Sequence, residues 1–468
     1  GWRFPGEWEP HARTWMGWPS RPDNWRDGAR PGQQAFVDVA KAISRFEPVT
    51  VGADPELVSQ ARAALPPEVE VVGIPQDDSW FRDTGPLFLV REGADGREVA
   101  GVDWEFNAWG GLYGDYSKDV KIASAILERE GIPCIPGPMI LEGGSVHMDG
   151  EGTLLTTAEC LLHPNRNPGL SQAEIEARLM AFLGVTRVIW LPRGLVADTD
   201  TNGHVDNIAC FARPGVVVLA WSDDAEDPQY ERSREALAVL EAAVDARGRR
   251  LEVVKLPQGP AMHYREEETA SIERAGAGEM DRVAGTRLAG AYINFYICNG
   301  GVVMPGWGIP DADARAKVVL QEVFPDREVV QVYTREILLG GGNVHCITQQ
   351  QPLGKPAAMG GLAISALYTR CTHLEHVMAP GHAFRWVKPE VYPIIFPVAL
   401  ALGAMTYSMG RHLWTNPEVF PSKKLRTEGI PEEETNRFRA EGYSKSIFRS
   451  LQEGRGMKGI FGTSSQDH

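Results

Sequence analysis

From Val49 to about residue 350, short β-favouring runs are followed again and again by a glycine turn and a segment of helical periodicity. That alternation confines the chain to the α/β class. Gln33 to Phe46 reads as a helix and Val49-Thr50-Val51-Gly52 as a short buried strand. The opening stretch, from Glu7 through Trp15-Met16-Gly17-Trp18-Pro19, reads as a buried edge strand ended by a proline turn. Five strand ends carry glycine, near residues 110, 143, 203, 300 and 341. Their uneven spacing hints at an internal repeat without defining its period. After Gln351-Pro352 the pattern stops.

A chain of 468 residues is too long for one ordinary domain, so two units or one large fold are expected. An apolar content of 43% and a mean hydropathy of −0.24 describe a globular protein with ample core. The net charge of −15 argues against a nucleic-acid partner and suits a cationic substrate. Six cysteines (134, 160, 210, 298, 346 and 371) are widely scattered, with no CxxC, which favours free thiols in a reducing compartment. Gly1-Trp2-Arg3-Phe4-Pro5 does not read as a signal peptide, and the missing initiator Met leaves room for a removed targeting segment.

The segment richest in chemistry is Leu338-Leu339-Gly340-Gly341-Gly342-Asn343-Val344-His345-Cys346-Ile347-Thr348. Three glycines allow a positive φ or close approach to a ligand, and Cys346 behind them is a candidate nucleophile. Alone, a cysteine after a glycine turn is more often structural. Read as a strand, the segment points His345 and Cys346 to opposite faces, which makes His345 a poor partner for the thiol. Upstream, Asp83 lies in Asp77-Asp78-Ser79-Trp80-Phe81-Arg82-Asp83-Thr84-Gly85-Pro86, and Glu142 sits directly on the Gly143-Gly144 turn. In Asn202-Gly203-His204-Val205-Asp206-Asn207, an extended backbone places His204 and Asp206 on one face.

The set offers one thiol, one candidate acid/base and at least three carboxylates on turns. Cysteine with histidine is the usual pairing for thiol catalysis. The extra carboxylates would repel one another unless a planar cation lay between them. A guanidinium fits, because its N–H forks can be gripped from two sides while its central carbon stays open to a thiolate. A zinc site built from His204, Asp206, His147 and Cys346 competes, but no HxH, HExxH or CxxC spacing supports it.

The strings Trp80-Phe81-Arg82-Asp83-Thr84-Gly85-Pro86, Leu141-Glu142-Gly143-Gly144-Ser145, Thr201-Asn202-Gly203-His204-Val205-Asp206-Asn207, Tyr292-Ile293-Asn294-Phe295-Tyr296 and Gly340 through Pro352 closely resemble the agmatine deiminases. These belong to the guanidino-group-modifying superfamily, with the arginine and peptidylarginine deiminases. The run Glu159-Cys160-Leu161-Leu162-His163-Pro164-Asn165-Arg166-Asn167-Pro168 favours the agmatine branch. The resemblance covers residues 1–353. It implies a five-bladed α/β propeller, the pentein fold, around a central substrate channel. It further implies that Cys346 attacks the guanidinium carbon, that Asp83 and Asp206 grip its nitrogens, and that Trp80 walls the channel. His204 would protonate the departing ammonia and then activate water, oriented by Glu142. The implied products are N-carbamoylputrescine and ammonia, on the route to putrescine and polyamines, in a cytoplasmic catalytic domain without cofactor or metal. A homo-oligomer is compatible with all of this. For the far amine of agmatine, Glu9 and the aromatic opening are weak candidates.

Residues 354–380 read as a linker and 381–468 as a helical tail. Within the tail, Val391 to Gly410 is an uncharged run of twenty residues. At about 1.5 Å per residue this suffices to cross a ~30 Å hydrocarbon core, which makes 391–410 a candidate single membrane span. Trp386, Tyr392 and Trp414 would lie near the interfaces. Thr406, Tyr407 and Ser408 weaken the signal, and a buried core helix is the competing reading. Arg385-Trp386-Val387-Lys388-Pro389-Glu390-Val391-Tyr392-Pro393 and Thr415-Asn416-Pro417-Glu418-Val419 resemble the small single-span MLRQ-type accessory subunits of respiratory complex I. That resemblance implies attachment to the mitochondrial inner membrane. Residues 381–468 carry 12 basic against 9 acidic residues, so the acidic excess lies wholly in the first 380. A natural fusion and two joined genes both fit. Three functions are weighed: a deiminase of agmatine, one of arginine or peptidylarginine, and a non-catalytic propeller scaffold acting as accessory subunit of a membrane respiratory complex. Transfer of the amidino group to an amine instead of water is a further variant. The intact set Cys346, His204, Asp83 and Asp206 speaks against the scaffold.

Overall fold

The computed structural model describes residues 1–273 and 282–358. Among these, the strands form five sheets, and one plan recurs: an antiparallel pair, then a helix, then a strand parallel to the second. The fifth sheet is built from both ends of the described chain. Here β1 (His11–Gly17) is followed by α1 (Arg30–Ser44), β2 (Val49–Ala53) and β3 (Glu70–Gly73), the last two strands running parallel. Next come β4 (Leu87–Gly93), β5 (Gly96–Glu105), α2 (Ile122–Glu130) and β6 (Cys134–Ile140). The plan repeats in β7 (Val146–Met148), β8 (Thr153–Thr157), α3 (Gln172–Leu183) and β9 (Arg187–Leu191). It repeats again in β10 (Ala209–Arg213), β11 (Val216–Trp221), α4 (Gln229–Ala242) and β12 (Glu252–Pro257). The fourth run is β13 (Tyr296–Cys298), β14 (Gly301–Gly306), α5 (Pro310–Val323) and β15 (Glu328–Tyr333). Finally β16 (Thr348–Pro352) returns to pair antiparallel with β1, His11 opposite Pro352 and Met16 opposite Thr348.

The sequence explains these elements locally. In β11 all six residues of Val216-Val217-Val218-Leu219-Ala220-Trp221 are buried, the continuous apolar run expected of a strand covered on both faces. Helix α1 opens on a proline and buries Phe36, Val39, Ala40 and Ile43 along one stripe. Helix α3 starts with a capping box between Ser171 and Glu174 and stops at Gly184 in the left-handed conformation, φ +67°. The β1–β16 seam is reinforced by Trp15, buried, whose Nε1 donates to Gln351 Oε1 at 2.8 Å.

Three expectations need revision. Strand β1 is not an edge strand: it lies between β16 and β2. The aromatic opening fits this place because Trp15 and Met16 are fully buried. The linker does not begin at residue 354, since β17 (Lys355–Pro356) pairs with β5 and the Ala357 amide donates to the Val99 carbonyl. The glycines near 110, 143, 203, 300 and 341 do not mark equivalent places. Gly300 turns the β13–β14 hairpin, whereas Gly143 opens a short 3₁₀ turn and Gly341 lies in a loop, both at the site described below. Among the described residues no helix is long and apolar enough to cross a membrane. The candidate span 391–410 and most of the linker lie outside the described residues.

Gly131 and Gly184 end α2 and α3 with nearly the same backbone, φ +62° and +67°. A Cβ at Gly131 would meet nothing within 4 Å, whereas at Gly184 it would meet the Trp2 carbonyl oxygen at 2.2 Å. Gly131→Ala should therefore cost about 1–2 kcal/mol, the left-handed penalty alone. Gly184→Ala should cost about 3 kcal/mol or more, because rigid backbone must also move. Urea unfolding of the two variants measures the difference, and equal losses would remove the N-terminal contact from the account.

Candidate active site

The residues singled out from sequence converge on one buried place. Cys346 lies in the turn Val344–Ile347, just before β16 and not within a strand. The alternation argument that separated His345 from Cys346 therefore does not hold: Asp206 Oδ2 is 2.8 Å from His345 Nδ1 and 3.7 Å from Cys346 Sγ. Likewise His204–Asp206 is not extended, since a turn of 3₁₀ helix begins at Val205 with His204 before it. The two side chains still reach the same site. Asp198 stitches this loop, its Oδ2 accepting the His204 amide at 3.1 Å and Asn207 Nδ2 at 3.0 Å.

Asp83, in the short helix Phe81–Thr84, accepts the Gly144 amide at 2.8 Å on Oδ1 and Trp109 Nε1 at 2.9 Å on Oδ2. His204 Nδ1 lies 3.9 Å from Asp83 Oδ1, and neither ring nitrogen of His204 has a hydrogen-bond partner. A Cβ on Gly144 would come within 3.0 Å of His204 Nδ1, Asp206 Oδ2 and Asp83 Oδ1 alike. Only glycine lets these three groups share the space. Gly342 plays the same part at the thiol, where a Cβ would sit 3.1 Å from Sγ.

Glu142 is fully buried and forms an ion pair with Arg166, Nε to Oε1 at 2.5 Å, while its Oε2 has no partner. Its nearness to His204 is shared with the Cys160 thiol, the donor atoms of all three lying within 4.8 Å of one another. Arg166 also donates to the carbonyls of Trp109 and Thr201, tying three loops of the site together. Trp80 stacks on Trp25 at 5.4 Å and donates Nε1 to the buried Asp78. With Asp83, Trp109, Tyr113, Asp200 and Arg282 it lines a narrow cavity that reaches Cys346.

The electrostatics follow from burial in an acidic surrounding. Burial, then Asp206 and Asp83, hold the Cys346 thiol well above its ordinary value. Burial lifts Asp83 against the opposing charge of His204, and the charges of Asp206 and Glu142 add to the rise. Burial would also lift Asp206, but the hydrogen bond and charge of His345 pull it below the ordinary carboxylate range. Burial disfavours charge on His204, yet Asp83, Cys160 and Glu142 hold its imidazole well above the usual value. The site thus gathers buried carboxylates around a thiol whose ionisation is suppressed, and Arg282, paired with Asp200 at 2.6 Å, lines the same cavity.

Several contributors escaped the sequence reading. Asn294 donates Nδ2 to Cys346 Sγ at 3.2 Å, and its Oδ1 accepts the His345 amide at 3.0 Å. Glu7 and His345 were passed over, the first for want of a motif and the second on the strand assumption. Glu9 is occupied by Arg3 and Arg97 and does not face the cavity. The four side chains considered as zinc ligands do not form one group: His147 sits with Glu7 and His345, and His204 with Glu142 and Cys160. In the first group the donor atoms are taken up by internal hydrogen bonds, and in the second Arg166 neutralises Glu142. The five cysteines among the described residues are free.

Residues 3–352 match the family model of Porphyromonas-type peptidyl-arginine deiminase, and residues 386–437 that of the NADH-ubiquinone reductase complex 1 MLRQ subunit. An agmatine deiminase of Medicago truncatula is 53% identical over 363 residues, covering 75% of this chain and 96% of that protein. One from Pseudomonas aeruginosa (strain LESB58) is also 53% identical, covering 76% and 97%. The solved structure of the Enterococcus faecalis agmatine deiminase superposes with a TM-score of 0.72 at 43% identity, covering 75% of this chain and 96% of that one. With the buried Cys346, His204, Asp83 and Asp206 drawn together in a pentein-type α/β fold, the chain belongs to the agmatine deiminase family.

Proposed function

We propose that this protein hydrolyses agmatine to N-carbamoylputrescine and ammonia through a covalent amidino-cysteine, within a five-bladed propeller. The observation that carries the reading is a buried thiol 3.7 Å from the Asp206 carboxylate, at the end of a cavity that Asp83 also lines. The five sheets of like plan support the propeller.

In this reading the guanidinium lies between Asp83 and the unpartnered Oδ1 of Asp206. Its positive charge reverses the field that keeps Cys346 protonated, so the thiolate forms only when a cation is bound. Asn294 Nδ2 donates to that sulfur. The thiolate attacks the guanidinium carbon, giving a neutral tetrahedral adduct. His204 passes its proton to one amino group, which leaves as ammonia, and an amidinium thioether remains on Cys346. Water enters and attacks the same carbon while His204 takes its proton. The C–S bond then breaks as the carbonyl forms, and the hydroxyl proton leaves with ammonia as ammonium. Glu142, held by Arg166, supports the charged state of His204. Trp80 forms a wall of the channel, and Asp200, ion-paired with Arg282 at 2.6 Å, lines the same cavity. No step needs a metal or cofactor. The placement in polyamine formation rests on the chemistry of the product.

For the tail, the reading is a separate appendage whose uncharged run 391–410 inserts into a membrane. It is supported by that run and by the match over 386–437. The full chain should then pellet with membranes and resist carbonate washing, because burial of a twenty-residue apolar helix is effectively irreversible. A full chain that stays in the supernatant would exclude the span.

Cys346→Ser should lower kcat by about 10⁴ or more without unfolding the protein, since the serine alkoxide is inaccessible near neutral pH. Acid quench of the wild type with agmatine should trap one amidino adduct on Cys346, visible by mass spectrometry of the digested protein. An active Cys346→Ser variant sinks the thiol mechanism. Asp83→Asn should cost about 3–5 kcal/mol of transition-state stabilisation, because the buried cation loses one charged partner. Ammonia release within a factor of a few of wild type would take Asp83 out of the grip.

A further inference from the structure

Behind the cysteine runs a buried line of charge that the reaction above does not use. His345 Nδ1 lies 2.8 Å from Asp206 Oδ2 and Nε2 2.9 Å from Glu7 Oε2. Ionised carboxylates accept and do not donate, so both ring nitrogens must carry protons for both bonds to exist. Glu7 is itself fixed: its Oε1 accepts the Ile297 amide at 2.8 Å, and Arg82 Nη2 lies 4.0 Å from Oε2. At the far end, Asp206 Oδ2 is occupied while Oδ1 is buried with no partner.

We propose that Glu7 and His345 are positioning residues, a carboxylate–imidazolium–carboxylate relay that holds Asp206 by Oδ2 and leaves Oδ1 without a protein partner, open to the guanidinium. The inference rests on the deiminase reading. Without the relay, the Asp206 carboxylate could rotate away from its place beside the thiol and would lose the charge that keeps it ionised. The other groups facing Asp206 are His204, Asp83 and the Cys346 thiol, with Arg82 at longer range. Glu7 is faced by His147 and Arg82, and the Cys210 thiol senses both carboxylates. Of the cationic groups around Asp206 among the described residues, His345 lies within hydrogen-bond distance of its carboxylate. Its presence lowers the Asp206 pKa, so its removal raises that pKa. Because the grip needs the ionised form, the acid limb of kcat/KM then moves to higher pH.

The test uses the full chain with agmatine, assayed by ammonia release across pH. His345→Gln should raise KM about 10- to 100-fold and move the acid limb up by about one unit or more. Glu7→Gln should move both in the same direction by less, and Glu7→Asp should restore part of the loss. A merely structural role would lower the unfolding midpoint and leave the acid limb in place. A folded His345→Gln with wild-type KM and acid limb overturns the relay. Should His345→Gln fail to fold, Glu7→Gln carries the kinetic test, because it leaves the His345–Asp206 bond intact. A wild type that releases no ammonia overturns the deiminase reading instead. The relay is then decided by nitrogen NMR of histidine-labelled wild type: an imidazolium at His345 persisting to about pH 8 supports it, and a neutral ring overturns it.

Discussion

The molecule is organised around four buried carboxylates and the partners that hold them. Asp83, Asp206, Glu142 and Glu7 are all buried in the part of the fold that holds Cys346 and His204. Burying carboxylates is expensive unless each is paired. Glu142 has Arg166, and Glu7 has His345 and Arg82, but Asp83 has only neutral donors and a histidine 3.9 Å away. Of the four, Asp83 is the one whose hydrogen bonds all come from neutral donors, and its burial together with that of Asp206 raises the cost of ionising the neighbouring thiol.

Holding such a pocket open requires scaffolding that contains no chemistry of its own. Arg166 is the clearest case, binding Glu142 and the backbones of Trp109 and Thr201 at once. Trp109 sits at φ +52°, a conformation rare for so large a side chain, and its indole is thereby aimed at Asp83. Gly144 contributes by the absence of a side chain. Local backbone cost is accepted at these positions because the three acidic or basic groups they serve must occupy one small space.

Much of the site was legible because its residues sit in short strings with unusual composition. Cys346, His204, Asp83, Asp206, Glu142 and Trp80 were all named from sequence, and they do meet. Their local conformations were misread, since periodicity assigns strands wherever β-favouring residues follow glycine. Val344–Ile347 and Val205–Asn207 are turns whose backbone amides, or those beside them, donate to Asn294 and Asp198, contacts that periodicity does not register. Glu7 and His345 were missed for the same reason: their role exists only between segments more than 330 residues apart. The repeat was likewise obscured. It is a repeat of connection, with an antiparallel pair, a helix and a parallel strand, while its turns vary in length and the fifth copy is split between β1 and β16. The tail stands apart, its basic balance and uncharged run unlike anything in the acidic, glycine-punctuated part.

The split of that fifth sheet has a bearing on how the protein is made. A ribosome delivers Glu7 and β1 first and Cys346 and β16 hundreds of residues later. Until the last strand emerges, β1 lacks its antiparallel neighbour and Glu7 lacks His345. Contacts of such long sequence separation form late and slowly. Chains ended before residue 346 lack the thiol altogether, although most of the cavity wall has by then been made. The last strand therefore brings the sulfur to a place whose other sides come from segments synthesised long before it.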